Sequence, residues 1–228
     1  MFFRALLISM SLIAILLTGC ATPTKMAFTD ASNSTIKADK AVYLMTATIK
    51  NSYKTSHQPK LIVANVEKRI ISNSSDRLNF KIDEKGKIES DTPEGSTYLL
   101  RMELEKGDYI IQGLTSMSSS FPIRGFFFTP IHGNFSSSGS GVFYLGHIEA
   151  TVRERQGEEF KAGLPLPLID QALAGASTGT FDVEISDQWA TDEAKFKGKF
   201  PILINTLIVK EILPPFDRVK AQQWWEEH

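Results

Sequence analysis

The sequence predicts an all-β fold, an antiparallel β-sandwich with one or two short helices near its C-terminus. Three observations predict it. Apolar and polar residues alternate with period two through much of the chain beyond Ala41. Helical patterning is confined to the C-terminal part, and Gly, Pro, Asn and Ser cluster between the alternating runs.

The elements follow in order. Strands are expected over Ala41–Ile49 and Leu61–Ile71, then over Leu78–Ile82, where Leu78, Phe80 and Ile82 alternate with Asn79, Lys81 and Asp83. Tyr98, Leu100, Met102 and Leu104 alternate with Leu99, Arg101, Glu103 and Glu105, which makes Arg101 a wet-face residue. Lys106-Gly107-Asp108 suits a tight hairpin into Tyr109–Leu114, with Gly107 at positive φ. Val142–Arg153, Phe181–Ile185 and Asn205–Leu213 complete seven or more short strands, enough for an immunoglobulin-like or prealbumin-like sandwich. Asp187 caps a short helix through Lys195, with Trp189 and Phe196 on one face and Glu193 paired to Lys197; Gly198 and Pro201 end it. A turn of helix fits Leu168–Ala174, and another short helix fits the tail after Pro214-Pro215.

Composition sets the outer limits. The chain of 228 residues is 42% hydrophobic and 22% charged, the balance of a folded globular body. A net charge of -1 argues against non-specific nucleic-acid binding, which needs a cationic excess. One cysteine excludes a disulfide framework and a Cys-rich zinc module.

The N-terminus carries a processing signal. Arg4 precedes an apolar run from Ala5 to Leu17 that falls well short of the ~20 residues of a membrane-crossing helix. That is the layout of a signal peptide over residues 1–19, removed in the mature protein. Leu17-Thr18-Gly19-Cys20 resembles the lipobox of bacterial lipoproteins. The resemblance implies cleavage between Gly19 and Cys20, a diacylglycerol thioether on Cys20 and acylation of its new amino group. Several acyl chains hold a protein to a bilayer where one does not. Ala21 resembles an outer-membrane sorting signal, so the expected location is the outer membrane, facing the periplasm.

Residues 20–40 are small, polar and aperiodic, and read as a lipidated flexible tether with a reach of roughly 25 Å. Residues 41–215 then form the sandwich and residues 216–228 a C-terminal tail. A second resemblance covers roughly residues 96–215. Leu104-x-x-Gly107-x-Tyr109, Val142-Phe143-Tyr144-Leu145-Gly146, Leu168-Ile169-Asp170-Gln171-Ala172 and Phe200-Pro201 are similar to a group of uncharacterised envelope lipoproteins. These are turn and core residues, and the resemblance implies a fold and no chemistry.

No catalytic residue, metal ligand or cofactor emerges. Gly175-Ala176-Ser177-Thr178-Gly179 spells a nucleophile elbow, but a helix precedes it and a strand follows, the reverse of the order that exposes such a serine. His147 shares a strand face with Glu149 and Arg153, without a second histidine at ligand spacing, and reads as a solvated polar face; His132 sits isolated in a loop. Asp182, Glu184, Asp187, Asp192 and Glu193 form an acidic patch, the material for an alternative reading as a small envelope hydrolase.

The leading expectation is a non-enzymatic, lipid-anchored envelope protein that binds another protein or a glycan. Phe126, Phe127 and Phe128 are consecutive, so strand alternation cannot bury all three on one face. Phe127 is the odd one by parity and a candidate partner contact, unless the strand is buried on both sides. Serine-rich flanks at Ser118–Ser120 and Ser136–Ser140 read as long connections. Trp224 and Trp225 are either a second partner contact or a tail in which one ring docks on the sandwich.

Overall fold

The computed structural model describes residues 22–29, 35–92, 95–163 and 169–227. The expected signal peptide, with Gly19 and Cys20, lies outside the described residues, as do Leu168 and His228. Two sheets pack face to face. One has five strands in the spatial order β1 (Thr22–Lys25), β4 (Arg77–Lys81), β3 (Lys60–Lys68), β7 (Gly107–Ser120) and β8 (Ile123–Ser137). The other has six, in the order β10 (Gly179–Ser186), β9 (Gly141–Glu154), β2 (Ala41–Asn51), β6 (Gly95–Leu104) and β5 (Lys87–Thr92), with β11 (Ile208–Lys210) also pairing with β9. Most pairings are antiparallel, but β1 with β4, β2 with β9 and β11 with β9 are parallel.

The core lies between the inner faces. Tyr43, Met45, Leu100, Ile148 and Phe181 from the second sheet meet Val66, Phe80, Ile111, Leu114 and Phe127 from the first. A second apolar layer covers the outer face of the six-stranded sheet. There Val42, Leu44, Leu99 and Tyr144 lie beneath Phe196 and Phe200. Phe196 belongs to α2 (Trp189–Lys199), flanked in the chain by α1 (Ile169–Leu173) and α3 (Arg218–Glu227). Trp189 and Phe196 both pack on Tyr144, at ring separations of 4.7 and 6.5 Å, and Glu193 pairs with Lys197 at 2.6 Å. The Asp187 carboxylate accepts the Trp189 N–H at 3.1 Å, although Gln188 occupies the cap position itself.

Four expectations are corrected. The tether fails over Thr22–Phe28: β1 joins a sheet edge, and Met26, Ala27 and Phe28 are buried. Backbone pairing needs no apolar pattern, so a short strand of small polar residues escapes periodicity. The hairpin at Lys106-Gly107-Asp108 fails because β6 and β7 belong to different sheets. The turn there carries the chain from one layer to the other, with Gly107 at φ 155°. The serine-rich flanks are mostly strand: β7 and β8 run 14 and 15 residues and pair from Gly107↔Ser137 to Ser120↔Ile123, and only Ser138–Ser140 lie in the connection to β9. Arg101, expected on a wet face, is fully buried because α2 and the N-terminal segment cover that face.

Candidate functional site

Three places collect the chemistry-bearing residues. The first is the end of the sandwich where the chain enters. Thr22 pairs in parallel with Leu78, and the segment after β1 crosses to the other sheet, where the Ala27 N–H donates to the Arg101 carbonyl at 2.8 Å. Arg101 returns the contact, donating Nε–H to the Ala27 carbonyl at 2.8 Å and Nη1–H to Leu99 at 2.7 Å. Its guanidinium also pairs with Asp83 and lies 4.2 Å from the centre of the Phe200 ring. Burial pulls the guanidinium below its ordinary value, and Asp83 opposes that pull.

The second is a buried polar chain under α2. Asp192 is fully buried, and its Oδ2 lies 3.0 Å from His147 Nδ1 and 2.7 Å from the Tyr144 hydroxyl. Lys195 donates to Oδ1 at 3.1 Å. His147 Nε2 is 3.0 Å from Thr48 Oγ1, which is itself 3.0 Å from Thr97 Oγ1. The imidazole thus joins the Asp192 carboxylate on one nitrogen to the Thr48 hydroxyl on the other. Burial pushes the Asp192 carboxyl up, but the donors around it, His147 foremost, outweigh burial and hold it well below the usual carboxylate range. Burial, reinforced by the Asp192 carboxylate, drives the Tyr144 phenol above its ordinary value.

His147 is only 4% exposed, so the solvated polar face expected for it is overturned. The cause is a bulge. Tyr144 pairs with Leu44 and His147 with Thr46, three steps against two, with Gly146 at φ 117° between them. Both side chains therefore reach the α2 side, where unbroken alternation would separate them. A glycine inside a strand pattern was the available signal. The order carboxylate, imidazole, hydroxyl is the one that activates a nucleophile. Here the hydroxyl is the secondary alcohol of Thr48, already bonded to Thr97, on a strand flanked on both sides by ladders. As it stands, the chain cross-links α2 to three strands.

The third place is the aromatic set. Phe127 is fully buried and meets Phe181 edge-on at 6.4 Å, so its expected surface position is wrong. Parity does divide the three rings, with Phe127 inward and half-buried Phe126 and Phe128 on the other face. Phe128 stacks on Trp224 at 5.4 Å, and Trp225 packs on the core with Arg155 and Lys161 over its ring. Both tryptophans thus serve to dock α3. His132, expected in a loop, is a buried β8 residue, 2.9 Å from Gln112 and 5.1 Å from the Trp224 ring. Ser177 lies in the turn between α1 and β10.

No known protein family, curated protein or solved structure matches the chain. Among the described residues, no group of three or more His, Cys, Asp or Glu side chains converges as a metal site, and no helix is long and apolar enough to cross a membrane. The acidic patch is dispersed. Asp182 pairs with Arg153 and Arg218, Asp187 with Lys210, Glu193 with Lys197, and Asp192 with His147.

Proposed function

We propose that the protein is a lipid-anchored component of a bacterial cell envelope, attached through Cys20 to the outer membrane and facing the periplasm. In this reading it acts by binding an envelope protein or glycan rather than by catalysis. The observation that carries the anchor is positional: the sole cysteine follows Leu17-Thr18-Gly19, and the first described strand begins two residues later, at Thr22.

Support for binding over hydrolysis comes from the acidic patch, in which Asp182, Asp187, Asp192 and Glu193 are each held by basic partners rather than set across a cleft. The end of the sandwich remote from Thr22 suits a contact. Phe121, 99% exposed, forms the tip of the β7–β8 turn. Beside that turn is a polar hollow walled by Thr55, Ser56, Gln58 and Ser118–Ser120. The Ser118 hydroxyl is buried there without a partner.

Metabolic labelling with a palmitate analogue tests the anchor. Wild type is expected to take up label, and Cys20→Ser to remain an unlabelled, uncleaved precursor. Equal labelling of the two would overturn the reading. Affinity capture from the protein's own membranes, with wild type against Phe121→Asp, tests the binding role.

A further inference from the structure

The register fixes which loops share the end where the chain enters. Thr22 lies beside Leu78, Leu78 beside Val66, and Lys68 beside Tyr109. The start of β1, the β3–β4 connection and the β6–β7 connection are therefore neighbours, and Phe121 is at the opposite end. Cys20 is two residues from Thr22, a reach of roughly 7 Å even when fully extended. A lipid on that sulfur would hold this end of the body within the depth of about 5–10 Å at which apolar groups enter the headgroup boundary.

The β3–β4 connection presents what such a boundary accepts. Ile70 is 80% exposed and Ile71 38%, two adjacent aliphatic side chains with no packing reason to project. Arg69 precedes them and Lys106 stands on the neighbouring connection; both are exposed and have no ion-pair partner among the described residues. Several acids nearby are engaged. Asp76 is held by Lys68 at 2.8 Å, Glu67 by Gln112 and Arg77, Glu105 by Lys40 at 3.6 Å, and Asp108 by the Ser136 hydroxyl at 2.6 Å. Asp108 keeps its charge beside that hydroxyl and Asp39 is exposed near Lys40, so the end is mixed in charge, and Arg69 and Lys106 are the side chains there that can meet anionic lipid headgroups.

We infer that Ile70 and Ile71, flanked by Arg69 and Lys106, form a second membrane contact that seats the body directly on the bilayer beside the Cys20 lipid. The inference rests on the lipoprotein reading above. The acyl chains on Cys20 alone, all on one residue, would let the sandwich pivot; a wedge beside them fixes its tilt and points the Phe121 end away from the membrane.

The test uses the full lipidated protein in vesicles of phosphatidylethanolamine and phosphatidylglycerol. The Cys20 sulfur is consumed in the thioether, so Ile70→Cys and Phe121→Cys each supply one free thiol for a nitroxide label. The ratio of oxygen to nickel-chelate accessibility is expected to be several-fold higher at position 70 than at position 121. Equal ratios at the two positions, with wild type refusing the thiol label, would overturn the wedge and leave the anchor standing. A wild type that takes the label has a free Cys20, and both readings fall.

Discussion

Ala27 and Arg101, 74 residues apart, hold each other by two hydrogen bonds: the Ala27 N–H to the Arg101 carbonyl and the Arg101 Nε–H to the Ala27 carbonyl. The pair joins the segment after β1 to β6, so the stretch just beyond Cys20 is part of the body. Phe28 adds to the joint by packing on Phe200 at 6.4 Å while adopting a positive φ of 61°. A phenylalanine in that region costs about 1 kcal/mol or more, which its burial offsets. The segment from Thr22 to Phe28 is thereby tied to both sheets.

Arg101→Ala should destabilise the protein by about 3–5 kcal/mol, because it strands the Asp83 charge and two carbonyls in a covered layer. The double variant Arg101→Met/Asp83→Leu, which removes both charges and keeps volume, should recover much of that loss. Urea midpoints for the single and double variants check the pattern. Equal losses would show that packing on Phe200, not the ion pair, dominates.

The bulge at Gly146 makes a second prediction. A Cβ there would sit 3.1 Å from the Ser186 carbonyl oxygen, on a backbone at φ 117° that side chains rarely adopt. Gly146→Ala should cost about 1–3 kcal/mol through strain. Because Tyr144 and His147 both depend on the bulge, the near-ultraviolet circular dichroism of the Tyr144–Trp189 contact should change with it.

Strands with one wet face and no irregularity were legible. Leu78–Ile82 and Phe181–Ile185 keep strict alternation because each residue faces either core or water. Three things break that logic here. A bulge resets parity, as between Tyr144 and His147. A covering layer changes what an outward position meets, as with Arg101 beneath Phe200. Parity itself says only that Phe127 differs from its neighbours, and the register with β7 decides that Phe127 is the inward one. The polar chain on Asp192 was invisible for a related reason: its members come from four elements, and no spacing in the sequence links them.

Acid should unfold the protein through a small set of carboxyls. Lys68, with the Ser72 and Asn73 N–H groups, holds Asp76 down to about 2. Arg153 foremost, against an opposing burial, and with the Gln156 N–H and Arg218, holds Glu159 down to about 2. Asp192 lies lower than its ordinary value for the reasons given above. Each is depressed in the folded state, so each contributes stability that is fully present above the unfolded pKa values near pH 4–4.5 and is lost as pH falls toward 2. The slope should be about 1.4 kcal/mol per pH unit for each extra proton the unfolded chain binds. Asp192→Asn should lower stability at pH 7 by about 2 kcal/mol and flatten the slope below pH 4. An unchanged slope would remove Asp192 from the set.

The two ends of the phenylalanine series give the last prediction, because they place one substitution in opposite environments. Phe127 has no exposed surface and meets Phe181 across the core, whereas Phe121 is 99% exposed on the β7–β8 turn. A carboxylate at position 127 would be buried without a cation, and Phe127→Asp should unfold the protein or cost several kcal/mol. Phe121→Asp should shift stability by no more than about 0.5 kcal/mol, since the side chain is in water before and after the change. Denaturant unfolding of the two variants separates them, and the comparison gives the capture experiment its control. A loss of captured partner in Phe121→Asp, with unfolding unchanged, can come only from the surface itself. Full capture by Phe121→Asp would move the contact away from this turn.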